Sequence, residues 1–384
     1  MNKDQQLSIF KHIINTKTVN DNEAELADYL AGLFAPYADQ AVKVEKVHYA
    51  PGRDNLVVTI GHGGKVLGFT GHMDVVDPGD LSAWETDPFD ATIKDGKLYG
   101  RGACDMKSGL AAVVVALLEL LEQGVHLPGT IKLLATVGEE TGNYGAAQLT
   151  QKGYANDLDA LLVCEPNNDL HDVTYACKGV VDYYVTAVGR AAHSSRPENG
   201  VNAIDHLFEF ARLAKAKLDQ FDQEDPALGK LTHIVSKFNG GEQINSVPSH
   251  AVMAGNIRTI PQYPNKAVYE ALNNTVAELN QQPDHQLSIL YSFPEEPMGG
   301  NVKSSLIQEV QATANQVLGW KPTPTVSTGA NDGQEFTQAD KEFTSVIIGP
   351  GGDCSHMPNE YVDLTAYYQA IAFYKQFAQD FLTE

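Results

Sequence analysis

Four short apolar runs in this chain each end at a histidine or an acid, and this repeat constrains the fold most. The runs and the residues that follow them are 66–69 before His72, 131–137 before Glu139 and Glu140, 160–164 before Glu165, and 343–348 before the loop of His356. Runs of this length and composition are typical of buried strands. Because sites in open α/β sheets collect at the carboxyl ends of strands, we expect these side chains to converge.

Asp105 is a further candidate ligand, and it stands just before a predicted helix. The segment from Gly100 to Gly109 is rich in glycine, and a strongly apolar helix follows it to about Gln123. A carboxylate in this place can simply cap the helix. The glycines favour a further function, since they let the backbone approach a bound group closely.

His72 and Asp74 are two residues apart, so in extended chain they point to the same side. This spacing is typical of a metal-bound imidazole whose second ring nitrogen is held by a carboxylate. For a single His-x-Asp, an ordinary surface turn would be the better interpretation. The recurrence of strand-end ligands along this chain favours the metal site.

Composition limits the classes of partner. The chain has 384 residues, which suggests two or three domains, and 27 Lys+Arg against 49 Asp+Glu give a net charge of −22 (27 − 49). This charge argues against nucleic acid and anionic membranes as partners. The four cysteines are far apart without a C-x-x-C pair, and the first residues lack a secretory pattern. We therefore expect reduced thiols and a cytoplasmic protein.

The hydrophobic pattern changes between residues 178 and 294. Strands are predicted over 180–188, 231–238, 251–260 and 287–293, with helices over 201–218 and 267–279. The resulting order, β-α-β-β-α-β, is the ferredoxin-like unit. We predict an α/β protein whose mostly parallel central sheet is formed by 1–177 and 295–384, with an inserted domain over 178–294.

Carboxylates and imidazoles without thiolates suit zinc, with cobalt or manganese as substitutes. Two ions are possible if Asp105 bridges them, with His72 and Glu165 on one side and Glu140 and His356 on the other. Two divalent ions and three carboxylates leave a charge of +1, which would stabilise a bridging hydroxide at neutral pH. Glu139 is then the spare carboxylate, suited to act as general base for the water and general acid for the leaving amine.

The motifs, in chain order, are Gly71-His72-Met73-Asp74, Gly100-Arg101-Gly102, Asp105-Met106-Lys107, Gly138-Glu139-Glu140, Glu165-Pro166 and Ser355-His356-Met357-Pro358-Asn359-Glu360. Over nearly the whole chain, they resemble the dinuclear zinc amidohydrolase family. That family contains succinyl-diaminopimelate desuccinylase, acetylornithine deacetylase, aminoacylase and glutamate carboxypeptidase. The resemblance implies a zinc-exopeptidase-like catalytic domain, the ligand set above, Asp74 as the residue that orients His72, and a cis peptide after Asp105.

The resemblance also implies that the inserted domain is a lid through which two copies form a homodimer. His193 would then enter the partner's site and donate to the tetrahedral oxyanion, although it also fits an exposed loop histidine. Asn245 and Arg258 match lid positions that hold a substrate carboxylate, and Arg258 also fits a surface strand.

The implied reaction is hydrolysis of the amide bond of an N-acyl amino acid. N-succinyl-LL-2,6-diaminopimelate, from lysine biosynthesis, is the leading substrate, followed by N-acetylornithine and small dipeptides. Desuccinylases usually have an arginine where this chain has Gln334, which weakens the case for a succinyl contact. Ser327, Thr328 and Gly329 could still bind substrate through hydroxyls and backbone. A one-metal hydrolase and a non-catalytic metal-dependent binding protein are the alternatives.

Overall fold

The computed structural model describes residues 1–125 and 127–383, and the chain divides into two compact units. The first consists of Met1–Ala176, Gly300–Val326 and the chain from Asn331 onward. The second consists of Cys177–Gly299 and the short segment Ser327–Ala330. The second unit therefore includes Cys177 and residues 295–299 and 327–330, which the sequence pattern placed in the flanking domain.

The helices in chain order are α1 (Lys3–Asn15), α2 (Glu23–Phe34), α3 (Lys107–Glu122), α4 (Tyr144–Gln151), α5 (Ala203–Leu218), α6 (Asn265–Leu279), α7 (Ser305–Val317), α8 (Asp332–Phe336) and α9 (Leu364–Thr383). Within the described ranges, no helix combines the length and apolar composition that crossing a lipid bilayer requires.

The strands are β1 (Val42–Ala50), β2 (Arg53–Gly61), β3 (Val66–His72), β4 (Thr92–Lys94), β5 (Lys97–Tyr99), β6 (Thr130–Thr136), β7 (Ala160–Val163), β8 (Asp172–Cys177), β9 (Gly179–Val188), β10 (Glu224–Asp225), β11 (Gly229–Lys230), β12 (Thr232–Gly240), β13 (His250–Thr259), β14 (Leu287–Glu295), β15 (Thr323–Ser327), β16 (Thr344–Ile347) and β17 (Tyr361–Asp363).

An eight-stranded sheet forms the centre of the first unit, in the order β1-β2-β6-β3-β7-β16-β8-β15. Its inner strands β6, β3, β7 and β16 run parallel to one another, while β1, β2 and β8 pair antiparallel. The predicted α/β class is confirmed. Since the inner strands are parallel, their carboxyl ends meet at one edge of the sheet.

Helix α3 is the centre of the main apolar core. All its residues from Lys107 to Leu121 are buried, which is why its sequence is apolar on every side. It packs against α9, α1 and β3. This burial fixes the start of α3, and so the turn that carries Asp105, against the sheet.

The second unit is a four-stranded antiparallel sheet in the order β12-β13-β9-β14. Helices α5 and α6 pack against each other and against this sheet, and they enclose a separate apolar core. The chain order β9-α5-β12-β13-α6-β14 is the predicted β-α-β-β-α-β arrangement, with the short hairpin β10–β11 added after α5.

The stretch 81–99 has the composition of a loop, but it is not irregular throughout. That stretch contains the hairpin β4–β5, closed by Asp95-Gly96, and β17 pairs with β5. Strands of three residues are too short to show a hydrophobic period, so only the turn residues signalled them.

Candidate metal centre

The candidate ligands follow the ends of neighbouring parallel strands. His72 is the last residue of β3 and pairs in register with Thr136, the last residue of β6. Glu139 and Glu140 come directly after β6, where Gly138 turns the chain with a φ of +70°. Because β7 ends beside β3, Glu165 reaches the same edge of the sheet.

Asp105 lies between two imidazoles and presents one carboxylate oxygen to each. Its Oδ1 is 3.2 Å from Nε2 of His72, and its Oδ2 is 3.5 Å from Nε2 of His356. A carboxylate placed in this way can bridge two ions. The peptide after it, Asp105–Met106, is cis, as the family resemblance implied.

The remaining acids complete the cluster on both sides of Asp105. Oε1 of Glu165 is 3.5 Å from Nε2 of His72, and Oε2 of Glu140 is 2.9 Å from Nε2 of His356. Oε2 of Glu139 is 3.9 Å from Nε2 of His72. Two groups have ligand atoms that all lie within 4.8 Å of one another: His72 with Glu139 and Glu165, and His72 with Asp105 and Glu140. Glu139 is therefore as much part of the cluster as the expected ligands.

The tautomer of His72 follows from its other contact. Its Nδ1 is 2.9 Å from the main-chain oxygen of Asp74, which can only accept, so Nδ1 carries the proton. The carboxylate of Asp74 is farther away, with 3.7 Å between Oδ1 and Nδ1. It instead accepts the main-chain N–H groups of Glu139 and Glu140, at 3.2 and 3.1 Å. Asp74 thus fixes the turn after β6, and it holds His72 through its carbonyl.

Burial dominates the electrostatics of the cluster. It raises the pKa of Glu139 and of Glu165 well above the usual range, and neighbouring carboxylates raise both further, although His72 opposes this. Burial also lowers the pKa of His72, but Glu165, Asp105 and Glu139 together raise it well above its ordinary value. For Asp105, burial raises the pKa, while His72, His356 and a hydrogen bond with Glu165 together lower it below its ordinary value.

These residues fit divalent cations. The contact with the Asp74 carbonyl places the proton of neutral His72 on Nδ1. The lone pair on Nε2 therefore faces the carboxylates of Asp105 and Glu165. That arrangement needs either a proton or a cation between the donors, and the four acids Asp105, Glu139, Glu140 and Glu165 make a cation the more favourable partner. Oxygen and imidazole donors are the ligand types of zinc, cobalt and manganese sites.

Gly109 explains how Asp105 comes so close to Glu165. A Cβ at Gly109 would lie 1.8 Å from the carbonyl oxygen of Cys164, the residue before Glu165. The first turn of α3 therefore packs directly on the backbone that follows β7. A larger residue at position 109 would separate the two carboxylates.

The other predicted site residues belong to the second unit, where they form two groups. His193 is exposed, its Nδ1 is 2.8 Å from Oγ of Ser195, and its loop pairs with the loop of Asn245, where Ser194 donates to the Asn245 carbonyl. Separately, Nη1 of Arg258 donates to the carbonyl of Thr328 at 3.1 Å.

Residues 327–329 were predicted to bind substrate. Within this segment, the hydroxyl of Ser327 accepts the N–H of Gly329 at 2.9 Å. This contact forms a turn beside the Arg258 bond.

Asp332 is a buried acid behind the cluster, and no motif in the sequence predicted it. Its carboxylate accepts the hydroxyl of Thr136, and its Oδ1 is buried without a partner among the described residues. Burial raises the pKa of Asp332 to about 7. The sequence signal was weak, because an acid at the start of a short helix such as α8 is common.

Comparison with known proteins gives the family. Residues 68–380 match the model of peptidase family M20/M25/M40. The chain is 35% identical, over 99% of its length and 98% of the relative's, to a Staphylococcus aureus protein named "Probable succinyl-diaminopimelate desuccinylase". The chain belongs to peptidase family M20/M25/M40. It is therefore an enzyme of a metal-dependent hydrolase family, as the motifs predicted.

Solved structures of M20 proteins have the same fold. Aminopeptidase PepT from Bacillus cereus superposes with a TM-score of 0.77 at 22% identity, covering all of both chains. A dinuclear metal-binding M20 peptidase from Bacillus subtilis superposes with a TM-score of 0.69 at 16% identity, over 99% of this chain and 98% of its own. At these low sequence identities, the superpositions show only that this chain has the same fold.

Proposed function

We propose that this M20 enzyme hydrolyses the amide bond of an N-acyl amino acid with the help of two divalent cations. Zinc is the cation we propose, with cobalt or manganese as substitutes. The observation that carries the proposal is the position of Asp105, with one carboxylate oxygen directed to each of two imidazoles. His72 and Glu165 would hold one cation, and Glu140 and His356 the other, with Asp105 shared. When bound, such cations would polarise the substrate carbonyl as Lewis acids and lower the pKa of water, so that hydroxide is available for attack at neutral pH.

Glu139 moves the proton. It is buried beside the cluster, and burial raises the pKa of its carboxyl well above the usual range, which suits it to take a proton from water. It then gives that proton to the amine that leaves. Asp74 supports this step, because its carboxylate fixes the main chain of Glu139.

N-succinyl-LL-2,6-diaminopimelate is the substrate we propose. It agrees with the name of the Staphylococcus aureus relative at 35% identity. Gln334 does not take the place of the arginine that desuccinylases usually have at this position. Its side chain is fully buried, and its Oε1 accepts the N–H of Asn331 at 2.8 Å. Recognition of the succinyl carboxylate would then fall to Arg258 and to the hydroxyls of Ser327 and Thr328. N-acetylornithine and small dipeptides remain the competing substrates.

We also propose that the second unit is the lid and joins two copies in a homodimer. Its edge strand β12 is exposed along nearly its whole length, and Ile234 is 60% and Phe238 37% exposed. Phe208 on α5, itself 60% exposed, stacks on Phe238. An open edge strand with apolar side chains is suited to pair with a second copy. In that dimer, His193 of one copy would donate to the oxyanion formed in the other.

A substrate panel tests the proposed reaction. The protein is stripped of cations, reloaded with zinc or cobalt, and assayed with N-succinyl-LL-diaminopimelate, N-acetylornithine and alanyl-alanine. We expect kcat/KM for the succinyl substrate to exceed the others at least tenfold. A preference for alanyl-alanine would replace desuccinylation with peptidase activity. No turnover of any amide by the loaded protein would leave the non-catalytic alternative.

A further inference from the structure

Glu360 is a fully buried acid whose carboxylate holds the turn that carries Asp105. Its Oε1 accepts the main-chain N–H groups of Cys104 and Asp105, both at 2.8 Å, and its Oε2 accepts the N–H of Gly102 at 3.0 Å. Three donors on one carboxylate fix the backbone on both sides of the turn. Glu360 is not among the candidate ligands, so it acts on Asp105 through the main chain.

Arg101 extends these contacts to the loop of His356. Nη1 of Arg101 donates to Oε2 of Glu360 at 2.5 Å and to the carbonyl of Met357 at 3.4 Å. Nη2 lies 3.5 Å from the carbonyl of His356 and 3.4 Å from that of Asp77. Arg101 is 1% exposed. One buried ion pair therefore ties the segment of Asp105 to the segment of His356.

We infer that the Arg101–Glu360 pair positions the cation site held by Asp105, Glu140 and His356, and acts less on the site held by His72 and Glu165. This inference rests on the proposed two-cation function. Two of the three ligand segments of the first site are tied together by the pair, but only the shared Asp105 links it to the second. Loss of the pair should therefore weaken the two sites unequally.

Two variants remove the pair in different ways. In Glu360→Gln, the amide nitrogen would stand either in place of Oε2, facing Arg101 and the N–H of Gly102, or in place of Oε1, facing the N–H groups of the turn. In both orientations a donor meets a donor. In Arg101→Lys, the charge stays, but a single ammonium cannot reach Glu360 and the carbonyls of the His356 loop together. Glu119→Gln is the matched control, because Glu119 is a buried acid paired with Lys375 at 2.5 Å, between α3 and α9.

The experiment is calorimetric titration of Co²⁺ into the cation-free full-length proteins, with visible absorption of the bound cobalt and thermal unfolding measured in parallel. The wild type should bind two cations. Both pair variants should retain one binding event within threefold of its wild-type Kd and weaken the other at least tenfold, in the range that indirect partners of metal ligands contribute. Glu119→Gln should lower the unfolding temperature and leave both Kd values unchanged.

Each other outcome has a definite reading. If both sites of the variants keep their wild-type Kd, or weaken by the same factor, the pair is merely structural and the inference is wrong. If Glu360→Gln does not fold, Arg101→Lys alone decides by the same criterion. A wild-type protein that binds fewer than two cations overturns the two-cation proposal itself, and with it this inference.

Discussion

The Nδ1 atom of His72 lies 2.9 Å from the main-chain oxygen of Asp74 and 3.7 Å from its carboxylate. The backbone therefore orients the imidazole, and the carboxylate is available for the N–H groups of Glu139 and Glu140. In this arrangement one residue serves both a candidate ligand and the candidate proton carrier.

Replacing Asp74 by asparagine should reduce turnover without removing cations. The amide has one oxygen to accept with, so one of the two N–H groups after β6 loses its acceptor. We expect kcat to fall 10–100-fold while two cations remain bound, measured by steady-state kinetics and metal analysis. Asp363→Asn is the control, because Asp363 likewise accepts a main-chain N–H, that of Thr365 at 2.7 Å. An unchanged kcat would show that the turn needs no anchor.

Replacing Glu139 by alanine should abolish turnover. Without this carboxyl nothing carries the proton from water to the leaving amine, and general acid–base catalysis contributes about 10²–10⁴-fold. We expect kcat to fall by at least about 10³-fold with two cations per chain retained. Near-normal activity in this variant would refute the assigned role.

Mixing two inactive variants tests donation across the proposed dimer. His193→Ala and Glu139→Ala should each be inactive alone. After mixing under conditions that exchange subunits, hybrid dimers would contain one site with both Glu139 and the His193 of the other chain. We expect partial recovery of activity, up to about a quarter of the wild-type rate if chains pair at random and subunits act independently. No recovery after verified exchange would mean that His193 does not act across the dimer.

The edge strand of the second unit should control assembly. Phe238→Lys puts a charge on the exposed face of β12, which should convert the proposed dimer to a monomer in sedimentation-velocity measurements. Leu290→Lys is the matched control, since Leu290 is 70% exposed on β14, at the opposite edge of the same sheet. If both variants sediment like the wild type, β12 is not the interface.

Asp332 should make the stability of the cation-free protein depend on pH. Its pKa of about 7 in the folded state lies above the ordinary aspartate value of 3.8, which applies to the unfolded chain. At a pH between these two values, the folded chain holds a proton that the unfolded chain has lost. The free energy of unfolding therefore falls as pH rises through this window, by about 1.4 kcal/mol for each unit of pKa difference.

Asp332→Asn removes this titration. In urea unfolding with a chelator, the variant should gain stability relative to wild type from pH 5 to pH 8. Asp340→Asn serves as control, because Asp340 is a surface acid that accepts from Asn156 at 2.7 Å. Parallel pH profiles for wild type and Asp332→Asn would contradict the assignment.

The sequence predicted the strands that position the centre better than the contacts that fix it. The runs before His72, Glu139 and Glu165 became β3, β6 and β7, because buried parallel strands are apolar throughout. The contact between Glu360 and Asp105 joins residues 255 positions apart, and no local period reports it. The β4–β5 hairpin was missed because strands of three residues are too short to show a hydrophobic period. No prediction covered helix α7, although its apolar residues recur at helical spacing.

If the buried acid cluster binds cations as proposed, it links folding to cation supply. Any ion that binds the native chain and not the unfolded one adds RT ln(1 + [L]/Kd) to the free energy of unfolding, about 2.7 kcal/mol per site at a hundredfold excess over Kd. When free metal becomes scarce, such a protein loses its reserve against proteolysis as well as its turnover. The abundance of the folded enzyme would then follow the metal status of the cell.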